Sequence, residues 1–387
     1  MLFIILKIIF WSSLFLIVYS YCLYPLLLVL FQRINRPAPV VFKDAHYLPK
    51  VSIVIAAYNE EKTIRHRIEN CLALDYPFDQ LEIIIASDGS SDQTNSITKE
   101  YAHQGVKLFD FKERRGKINI LNDSIARASH EIIVLSDANT MFARDALKKL
   151  VRHFQYPQIG CVCGLLYFVN TKGTKTGDLE GFYWRYETHL KKMEGTRGSL
   201  LGANGAIYAI RKNLFQACPT ETIVDDFLIP MKILARGYKV IYDPDATASE
   251  EFTQQFIQEK ERRIRIGAGD FHALTLLWPM LNPLRGFSAI AFLSHKVLRW
   301  FAPFFLVFLF ITSIMLVNHG IVYDLVLWGQ ILFYMAAMAG QALSHTPKPV
   351  RLFALCYYFV SMNIALFLGF YKFLRGRQKA TWQRTER

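Results

Sequence analysis

The sequence predicts an α/β fold with a doubly wound, mostly parallel sheet, placed between an N-terminal transmembrane anchor and a set of C-terminal transmembrane helices. Short apolar runs rich in Ile and Val alternate with helical patterns between residues 51 and 154, as in parallel sheets with crossover helices. Residues 1–31 are nearly all apolar, and residues 301–317, 325–343 and 352–373 form three more apolar stretches. The middle of the chain, residues 48–272, is mixed in character and predicts a globular domain.

The first apolar stretch carries Lys7 as its sole charge and is long enough to cross a bilayer. Its length and the lack of a clean small-residue cleavage site favour an anchor over a signal peptide. Basic residues begin directly after it, at Arg33 and Arg36. The sequence therefore predicts a multi-pass protein of the cell membrane whose globular domain lies in the cytoplasm.

The C-terminal stretches give conflicting topology signals. Three crossings of residues 301–373 would leave the basic tail, residues 374–387, outside, although its Lys and Arg residues favour the cytoplasmic side. A re-entrant segment or a different number of crossings would resolve the conflict. Residues 273–300 are the candidate for the missing piece, because Pro, Arg, His and Lys are interspersed there among Trp, Phe and Leu. That mixture favours an interfacial segment in contact with membrane lipids.

Four buried strands are expected in the first half of the globular domain. They are Val51–Ala57, residues 81–87, Val106–Phe111 and residues 132–136. Helices are expected after each strand, ending near residue 73, spanning about 91–103, running from Gly116-Lys117 to about 128, and spanning about 144–154. In the second half the pattern is less regular, and a late strand is expected at residues 240–243.

Acidic turns follow two of these strands. The second strand runs into Asp88-Gly89-Ser90-Ser91-Asp92, and the fourth runs into Asp137-Ala138-Asn139. Ligands of open α/β sheets bind outside the carboxyl ends of the strands, so both turns are expected to line one crevice. Clustered carboxylates repel one another unless a cation joins them. A divalent metal that carries a diphosphate would meet that need, which points to a nucleotide-sugar enzyme.

Three further segments are candidates for the site. Residues 198–210 mix glycines with small residues, so that backbone there is free to approach a ligand. Asp225 and Asp226 lie together in the apolar stretch 222–229, where an acidic pair is costly unless it is used. We therefore expect the pair to belong to the site, with Asp225 in contact with substrate. The third segment is a cationic cluster that includes Arg263 and Arg265.

Composition weighs against several other functions. The net charge of +13 does not require nucleic acid, because membrane proteins carry Lys and Arg on their cytoplasmic side. The six cysteines show no metal-ligand spacing and fit reduced residues of a cytosolic core. A transporter would place charged residues inside its spans, and the C-terminal stretches carry almost none. A non-catalytic scaffold would not need acidic turns at both strand ends.

These residues together resemble the membrane-bound family 2 glycosyltransferases with a GT-A fold, such as cellulose, hyaluronan and poly-N-acetylglucosamine synthases. The resemblance covers about residues 51–270 and the flanking membrane layout. It implies that Tyr58 and Glu60 lie by the base and ribose of a nucleotide sugar, and that Asp88 holds the uracil side. It also implies that Lys117 lies near the base or the diphosphate. Each motif is weak alone, and their order and spacing carry the resemblance.

The resemblance also implies how the sugar is transferred. Asp137 would begin the family's D-x-D metal element, which binds Mg²⁺ or Mn²⁺, and Asp226 would be the catalytic base. Arg263 and Arg265 match the arginines of the family's Q-x-x-R-W region, near the diphosphate and the acceptor. The implied activity is inverting transfer from a UDP-sugar to a glycan or lipid-linked acceptor in polysaccharide synthesis. A transferase that adds one sugar to a lipid-linked acceptor is the alternative.

This chain departs from the family pattern at two positions. The second acid of D-x-D is Asn139, whose carbonyl oxygen still suits a hard cation but carries no charge. The tryptophan of Q-x-x-R-W aligns with Ile266, and its glutamine aligns with Arg262. The second departure weakens the expectation of processive polymer synthesis and leaves the expected transfer chemistry unchanged.

Overall fold

The computed structural model describes residues 1–34, 42, 44, 47–169, 179–251, 256–343 and 350–376, with backbone alone at 179–184 and 256–259. The chain divides into two compact units. The sheet unit comprises Arg36–Thr176, Glu187–Gln254 and Lys379–Arg387, and the helical unit comprises Met1–Asn35, Gly177–Tyr186 and Gln255–Gln378.

The described part of the sheet unit contains one eight-stranded sheet. Its strands are β1 (Val51–Ala57), β2 (Leu81–Asp88), β3 (Val106–Phe111), β4 (Ile132–Asp137), β5 (Met141–Phe142), β6 (Ile159–Val169), β7 (Tyr208–Arg211) and β8 (Lys239–Glu251). Their spatial order is β3-β2-β1-β4-β7-β6-β8-β5. The predicted mixed, mostly parallel α/β architecture is confirmed.

The four strands β3, β2, β1 and β4 are parallel, and they are the strands that the Ile and Val runs predict. Every residue of β1 is buried, as expected for a strand covered on both faces. The register pairs Ala57 with Ser87 and Ala56 with Asp137. The turns that follow β2 and β4 therefore flank the carboxyl end of β1 at the same edge of the sheet.

The other half of the sheet is mixed. Strand β7 is antiparallel to β4 and β6, β5 is antiparallel to β8, and β6 runs parallel to β8. Strand β8 extends well beyond the predicted residues 240–243, although Pro244 lies within it. The pairing of β6 with β8 accommodates Pro244 through a register shift between Gly164 and Leu165 of β6. A Cβ atom on Gly164 would lie 2.5 Å from the carbonyl oxygen of Ala246, so the shift needs glycine there.

Helices cover the sheet, and most are shorter than predicted. They are α3 (Ile64–Leu72), α4 (Thr94–Glu100), α5 (Lys117–Arg127), α6 (Ala146–Val151) and α8 (Asp225–Ala235), and α7 (Leu179–Gly195) contributes residues to both units. Helix α4 begins at Thr94 and not near residue 91, because Asp92 accepts a hydrogen bond from the backbone nitrogen of Thr94 at 2.9 Å. Such a bond closes a turn before the helix.

The helical unit contains most of the remaining helices, both long and short. They are α1 (Leu2–Val18), α2 (Tyr24–Ile34), α9 (Phe256–Leu277), α10 (Phe287–Ala291), α11 (Leu298–Trp300), α12 (Ala302–Met315), α13 (Ile321–Ala342) and α14 (Arg351–Leu374). A π-helical turn, Tyr19–Leu23, joins α1 to α2. Leu2–Ile34, Ile321–Ala342 and Arg351–Leu374 are long and apolar enough to cross a membrane.

A fourth candidate span in the described chain is a bent pair, Phe287–Trp300 with Ala302–Met315, whose axes differ by 60°. The predicted interfacial segment 273–300 falls on the end of α9 and the first helix of this pair. The predicted stretch 301–317 forms only the 14-residue helix α12. Most of the basic tail, residues 377–387, lies outside the described residues, and its side of the membrane stays a prediction.

Close backbone contacts hold α9 against α14. A Cβ atom on Gly369 would lie 2.8 Å from the backbone nitrogen of Ala268 and 2.9 Å from the carbonyl oxygen of Ile264. Arg299 is buried elsewhere in the helical unit, where it donates hydrogen bonds to the Tyr186 hydroxyl at 2.7 Å and to the carbonyl oxygen of Ser20. The buried guanidinium group of Arg299 is therefore hydrogen-bonded, as an apolar surrounding requires.

Candidate active site

Lys117 lies at the centre of an acidic cluster at the carboxyl edge of the parallel strands. Its ammonium nitrogen is 2.9 Å from Oδ1 of Asp137 and 3.4 Å from Oδ2 of Asp225. Burial lowers the pKa of Lys117, but the carboxylates of Asp137, Asp225 and Asp226 outweigh it and hold the pKa above its usual value. The lysine is therefore a fixed positive charge among the acids.

Asp225 and Asp226 are the first two residues of helix α8, where the helix dipole favours negative charge. Asp225 is 5% exposed, and burial raises the pKa of its carboxyl group, with a further rise from Asp226 and Asp137 and an opposing effect of Lys117. The half-buried Asp226 accepts a hydrogen bond at 3.2 Å from the backbone nitrogen of Gly205. The two neighbouring acids therefore have different surroundings.

Gly205 lies where two of the carboxylates converge. A Cβ atom at this position would be 3.3 Å from Oδ2 of Asp226 and 3.6 Å from Oδ2 of Asp137. A larger residue would bring its side chain between these oxygens. Gly205 belongs to the segment 198–210, and it leaves the space between the carboxylates open. The predicted approach of this backbone to a ligand stays a prediction.

Two residues of helix α3 hydrogen-bond at or near the turn that carries Asp137 and Asn139. Arg67 is completely buried and donates to the Ser136 hydroxyl at 3.0 Å and to the Asn70 side-chain oxygen at 2.7 Å. Asn70 in turn bonds both the backbone nitrogen and the carbonyl oxygen of Phe142, at 2.8 and 2.9 Å. Asp137 keeps 36% of its side chain exposed, and Asn139 is half-buried. The turn is thus held by hydrogen bonds, while both metal-ligand candidates keep part of their surface exposed.

Asp88 has a different environment. It is completely buried, and its two carboxylate oxygens accept hydrogen bonds from the backbone nitrogens of Arg115 at 2.7 Å and Gly116 at 3.0 Å. Gly116 has a φ of 92°, a conformation that favours glycine, and it precedes the first residue of α5, Lys117. Asp88 therefore fixes the start of the helix that presents the lysine. The predicted contact of Asp88 with the nucleotide base stays a prediction.

Tyr58 and Glu60 follow β1, between the two acidic turns. The guanidinium group of Arg114 lies 3.9 Å from the centre of the Tyr58 ring, a cation–π contact. Glu60 accepts a hydrogen bond from the Thr63 hydroxyl at 2.8 Å, and its backbone nitrogen donates to the Thr94 hydroxyl at 2.8 Å. Both residues lie at the edge where the sequence predicts the nucleoside, and their contact with it stays a prediction.

Arg263 and Arg265 belong to helix α9 of the helical unit. Arg263 donates to the Tyr358 hydroxyl of α14 at 3.2 Å, contacts the sulfur of Met362, and lies 5.0 Å from the centre of the Tyr358 ring. Arg265 is half-buried. The predicted diphosphate contacts of both arginines stay predictions.

The donor atoms of the cluster suit a hard divalent cation. Carboxylate oxygens of Asp137 and Asp226 converge beside Gly205, and Asn139, two residues after Asp137, offers a neutral oxygen. Within the described ranges, no group of three or more His, Cys, Asp or Glu side chains is arranged to hold a metal ion. Mg²⁺ is commonly held by one or two carboxylates together with substrate phosphates, so a nucleotide diphosphate would complete this coordination sphere.

Sequence patterns missed four residues that shape the site. Arg67 and Asn70 lie on a helix of mixed polarity, so nothing in the pattern marks Arg67 as buried or Asn70 as its partner. Gly205 falls in a segment predicted to approach a ligand, but its hydrogen bond to Asp226 depends on the tertiary fold. Arg114 precedes Lys117 by three residues, and its basic character alone does not indicate a contact with Tyr58.

Comparison with known proteins identifies the class of enzyme. Residues 52–218 match the profile of Glycosyl transferase family 2, a range that contains β1, both acidic turns, Lys117 and Gly205. The matched segment is thus similar to Glycosyl transferase family 2, and the fold is that of the GT-A enzymes. The predicted family and enzyme class are confirmed.

Individual proteins of two kinds are similar to this chain, two curated synthases in sequence and one solved mannosyltransferase in fold. The poly-beta-1,6-N-acetyl-D-glucosamine synthase of Staphylococcus aureus (strain COL) is 30% identical over 203 residues, which is 51% of this chain and 48% of that protein, and the Staphylococcus epidermidis protein is 30% identical over 202 residues. The chain thus spans about half the length of these curated relatives. The mannosyltransferase PcManGT from Pyrobaculum calidifontis, solved with GDP-Man and Mn²⁺, shares the fold, with a TM-score of 0.68 and 22% identity over 96% of this chain and 100% of that one.

Proposed function

We propose that this protein is an inverting, metal-dependent glycosyltransferase that moves a sugar from a nucleotide sugar, a UDP-sugar, to a glycan or lipid-linked acceptor. The observation that carries the proposal is the cluster of Asp137, Asp225 and Asp226 around Lys117 at the carboxyl ends of β1 and β4. It offers groups for each requirement of sugar transfer, namely holding the diphosphate, neutralising its charge and accepting a proton.

Asp137 and Asn139 would hold Mg²⁺ or Mn²⁺, which when bound neutralises the charge of the leaving diphosphate. Lys117 adds a positive charge on the same side of the crevice. Asp226 takes the proton of the acceptor hydroxyl, because it is half-buried and oriented by the backbone nitrogen of Gly205. Attack on the anomeric carbon from the face opposite the diphosphate inverts its configuration. The buried Asp225 pairs with the ammonium group of Lys117 at 3.4 Å.

The relatives support polysaccharide synthesis as the setting, since they are named as synthases of poly-beta-1,6-N-acetyl-D-glucosamine. The three or four candidate spans support a location in the cell membrane, with the catalytic domain on the cytoplasmic side where nucleotide sugars are made. UDP-N-acetylglucosamine is accordingly the first donor to test.

Addition of one sugar to a lipid-linked acceptor is a second candidate, and Ile266 favours it. A tryptophan ring at that position would give a sugar a flat apolar surface, which isoleucine does not provide. Two aromatic residues follow Ile266 in the sequence, and their exposure decides whether a sugar could rest on their rings. Phe271 is 2% exposed and packs edge-on against Phe301 and Phe370, whereas Trp278 is exposed.

The test is a screen of radiolabelled UDP- and GDP-sugars with membranes that contain the full chain, with Mn²⁺, Mg²⁺ or EDTA. We expect one donor to label a glycan or lipid fraction in a metal-dependent way, and sizing of the product to separate polymer from single addition. Membranes with an Asp226→Asn variant serve as the matched control. Absence of labelling with every donor, or equal labelling in EDTA, would overturn the proposal.

A further inference from the structure

The ammonium group of Lys117 occupies a position within the acidic cluster that a divalent cation would share or take over. We infer that Lys117 is a built-in counter-ion that prevents metal binding until the nucleotide diphosphate arrives, so that metal and nucleotide load together. The inference rests on the proposed metal-dependent transfer and concerns how that same site is regulated.

The geometry places the lysine on a proposed metal ligand. Its nitrogen is 2.9 Å from Oδ1 of Asp137, which is hydrogen-bonding distance, and 3.4 Å from Oδ2 of Asp225. The other oxygen of Asp137 faces Gly205, where Asp226 also converges. A metal ion at Asp137 would therefore lie within a few ångströms of the ammonium nitrogen.

Charge balance explains why the lysine is there. Three carboxylates in a partly buried crevice repel one another, and a neighbouring positive charge relieves that repulsion. Lys117 provides this positive charge, and 25% of its side chain is exposed. A divalent ion that enters alone meets a cluster already neutralised in part and a like charge at contact distance. Its affinity is accordingly reduced.

A nucleotide diphosphate reverses this balance. Its oxygens give the ammonium group a new partner and give the metal the ligands that the protein side chains do not supply. The flexible stem of Lys117 allows the ammonium to move while its backbone stays fixed, because Asp88 holds the backbone nitrogens of Arg115 and Gly116. The lysine then leaves Asp137 to the metal and contacts the diphosphate itself.

The test measures Mn²⁺ binding by calorimetry or by electron paramagnetic resonance, with the full chain in detergent and no nucleotide present. We expect Lys117→Gln to bind Mn²⁺ at least about tenfold more tightly than the wild type, and Lys117→Arg, which keeps the charge, to bind it as weakly as the wild type. The matched control is Lys149→Gln, which removes the same charge from a Lys–Asp pair of 2.7 Å on α6. It should leave Mn²⁺ binding unchanged.

A double variant, Lys117→Gln with Asp137→Asn, locates the ion, because the gain should vanish if Mn²⁺ binds Asp137. The experiment also includes UDP, whose presence should tighten Mn²⁺ binding to the wild type more than to Lys117→Gln. Unchanged or weaker Mn²⁺ binding by folded Lys117→Gln, with sugar transfer intact in the wild type, would overturn this inference and leave the proposed function standing. If the wild type neither transfers sugar nor binds UDP, the proposed function is overturned instead.

Discussion

The acidic turns after β2 and β4 have similar sequences and equivalent places beside β1, yet their carboxylates meet different partners. Asp88 is completely buried and both of its oxygens bond backbone nitrogens, whereas Asp137 is 36% exposed and pairs with a side chain, Lys117. An acid at the end of a parallel strand therefore lies where ligands of such sheets bind. Hydrogen bonds from neighbouring backbone nitrogens determine whether its oxygens remain available to a ligand.

The two turns are also connected. Asp88 holds Arg115 and Gly116, Gly116 precedes Lys117, and Lys117 reaches Asp137. On this account, Asp88 positions the cationic residue and Asp137 binds the incoming metal. Substitutions at the two turns should accordingly have different effects.

The largest effect is expected at Asp226, the proposed general base. Asp226→Asn should lower sugar transfer by about 10²–10⁴-fold, since a general base typically contributes that much, and should leave UDP binding nearly intact. Turnover and UDP affinity are measured on the same preparation. The control is Asp145→Asn, an acid paired with Lys149 on α6. Retention of more than about a tenth of wild-type turnover would exclude Asp226 as the base.

Asp88→Asn should chiefly affect stability. Asparagine keeps one acceptor oxygen but turns an amide group toward the second backbone nitrogen. Hydrogen bonds to charged groups are worth about 1.5–3 kcal/mol, so we expect a loss of about 2 kcal/mol in the free energy of unfolding. Denaturant unfolding of the detergent-solubilised protein measures it. A fully stable variant with lost base recognition would instead show that Asp88 binds the nucleotide.

Asn139→Asp should sharpen the assignment of the second turn. Because a carboxylate attracts a divalent ion more strongly than an amide, Mn²⁺ affinity in the presence of UDP should rise by several-fold. Asn139→Ala should weaken it, but less than Asp137→Ala does. Calorimetry with Mn²⁺ as the titrant decides this. Equal effects of Asn139→Ala and Asn139→Asp would remove residue 139 from the metal site.

The smallest expected effect is at Ile266, outside the acidic cluster. Ile266→Trp should lengthen the product under single-encounter conditions with excess unlabelled acceptor, because the ring gives the glycan an apolar surface. Product length is read by gel filtration of the labelled glycan. Long polymer made by the wild type in one encounter would show that Ile266 does not limit chain length.

Several features of the fold were predictable from local sequence. The four parallel strands are runs of Ile and Val bounded by turn residues, and their parallel arrangement places both acidic turns at one edge. The extension of β8 past Pro244 was not predictable, because it depends on a register shift at Gly164 of another strand. Local patterns give strand identity, whereas irregular pairing is set by contacts distant in sequence.

The site divides in the same way. Residue types, their spacing and the family resemblance indicate Asp137, Asp226 and Lys117 as candidates for the site. The partners of Asp88 lie 27 and 28 residues further along the chain, and Arg67 bonds Ser136 across 69 residues. Such hydrogen bonds exist only after folding, so neither the buried role of Asp88 nor the support from Arg67 could be read from spacing.

The most direct test of the central claim compares the two turns in one experiment. UDP affinity is measured by calorimetry with and without Mn²⁺ for the wild type, Asp88→Asn and Asp137→Asn. The account predicts that Mn²⁺ tightens UDP binding to the wild type and to Asp88→Asn by a similar factor of about ten or more, and that this factor falls to about one in Asp137→Asn. A metal-dependent factor retained by Asp137→Asn, or lost by Asp88→Asn alone, would contradict it.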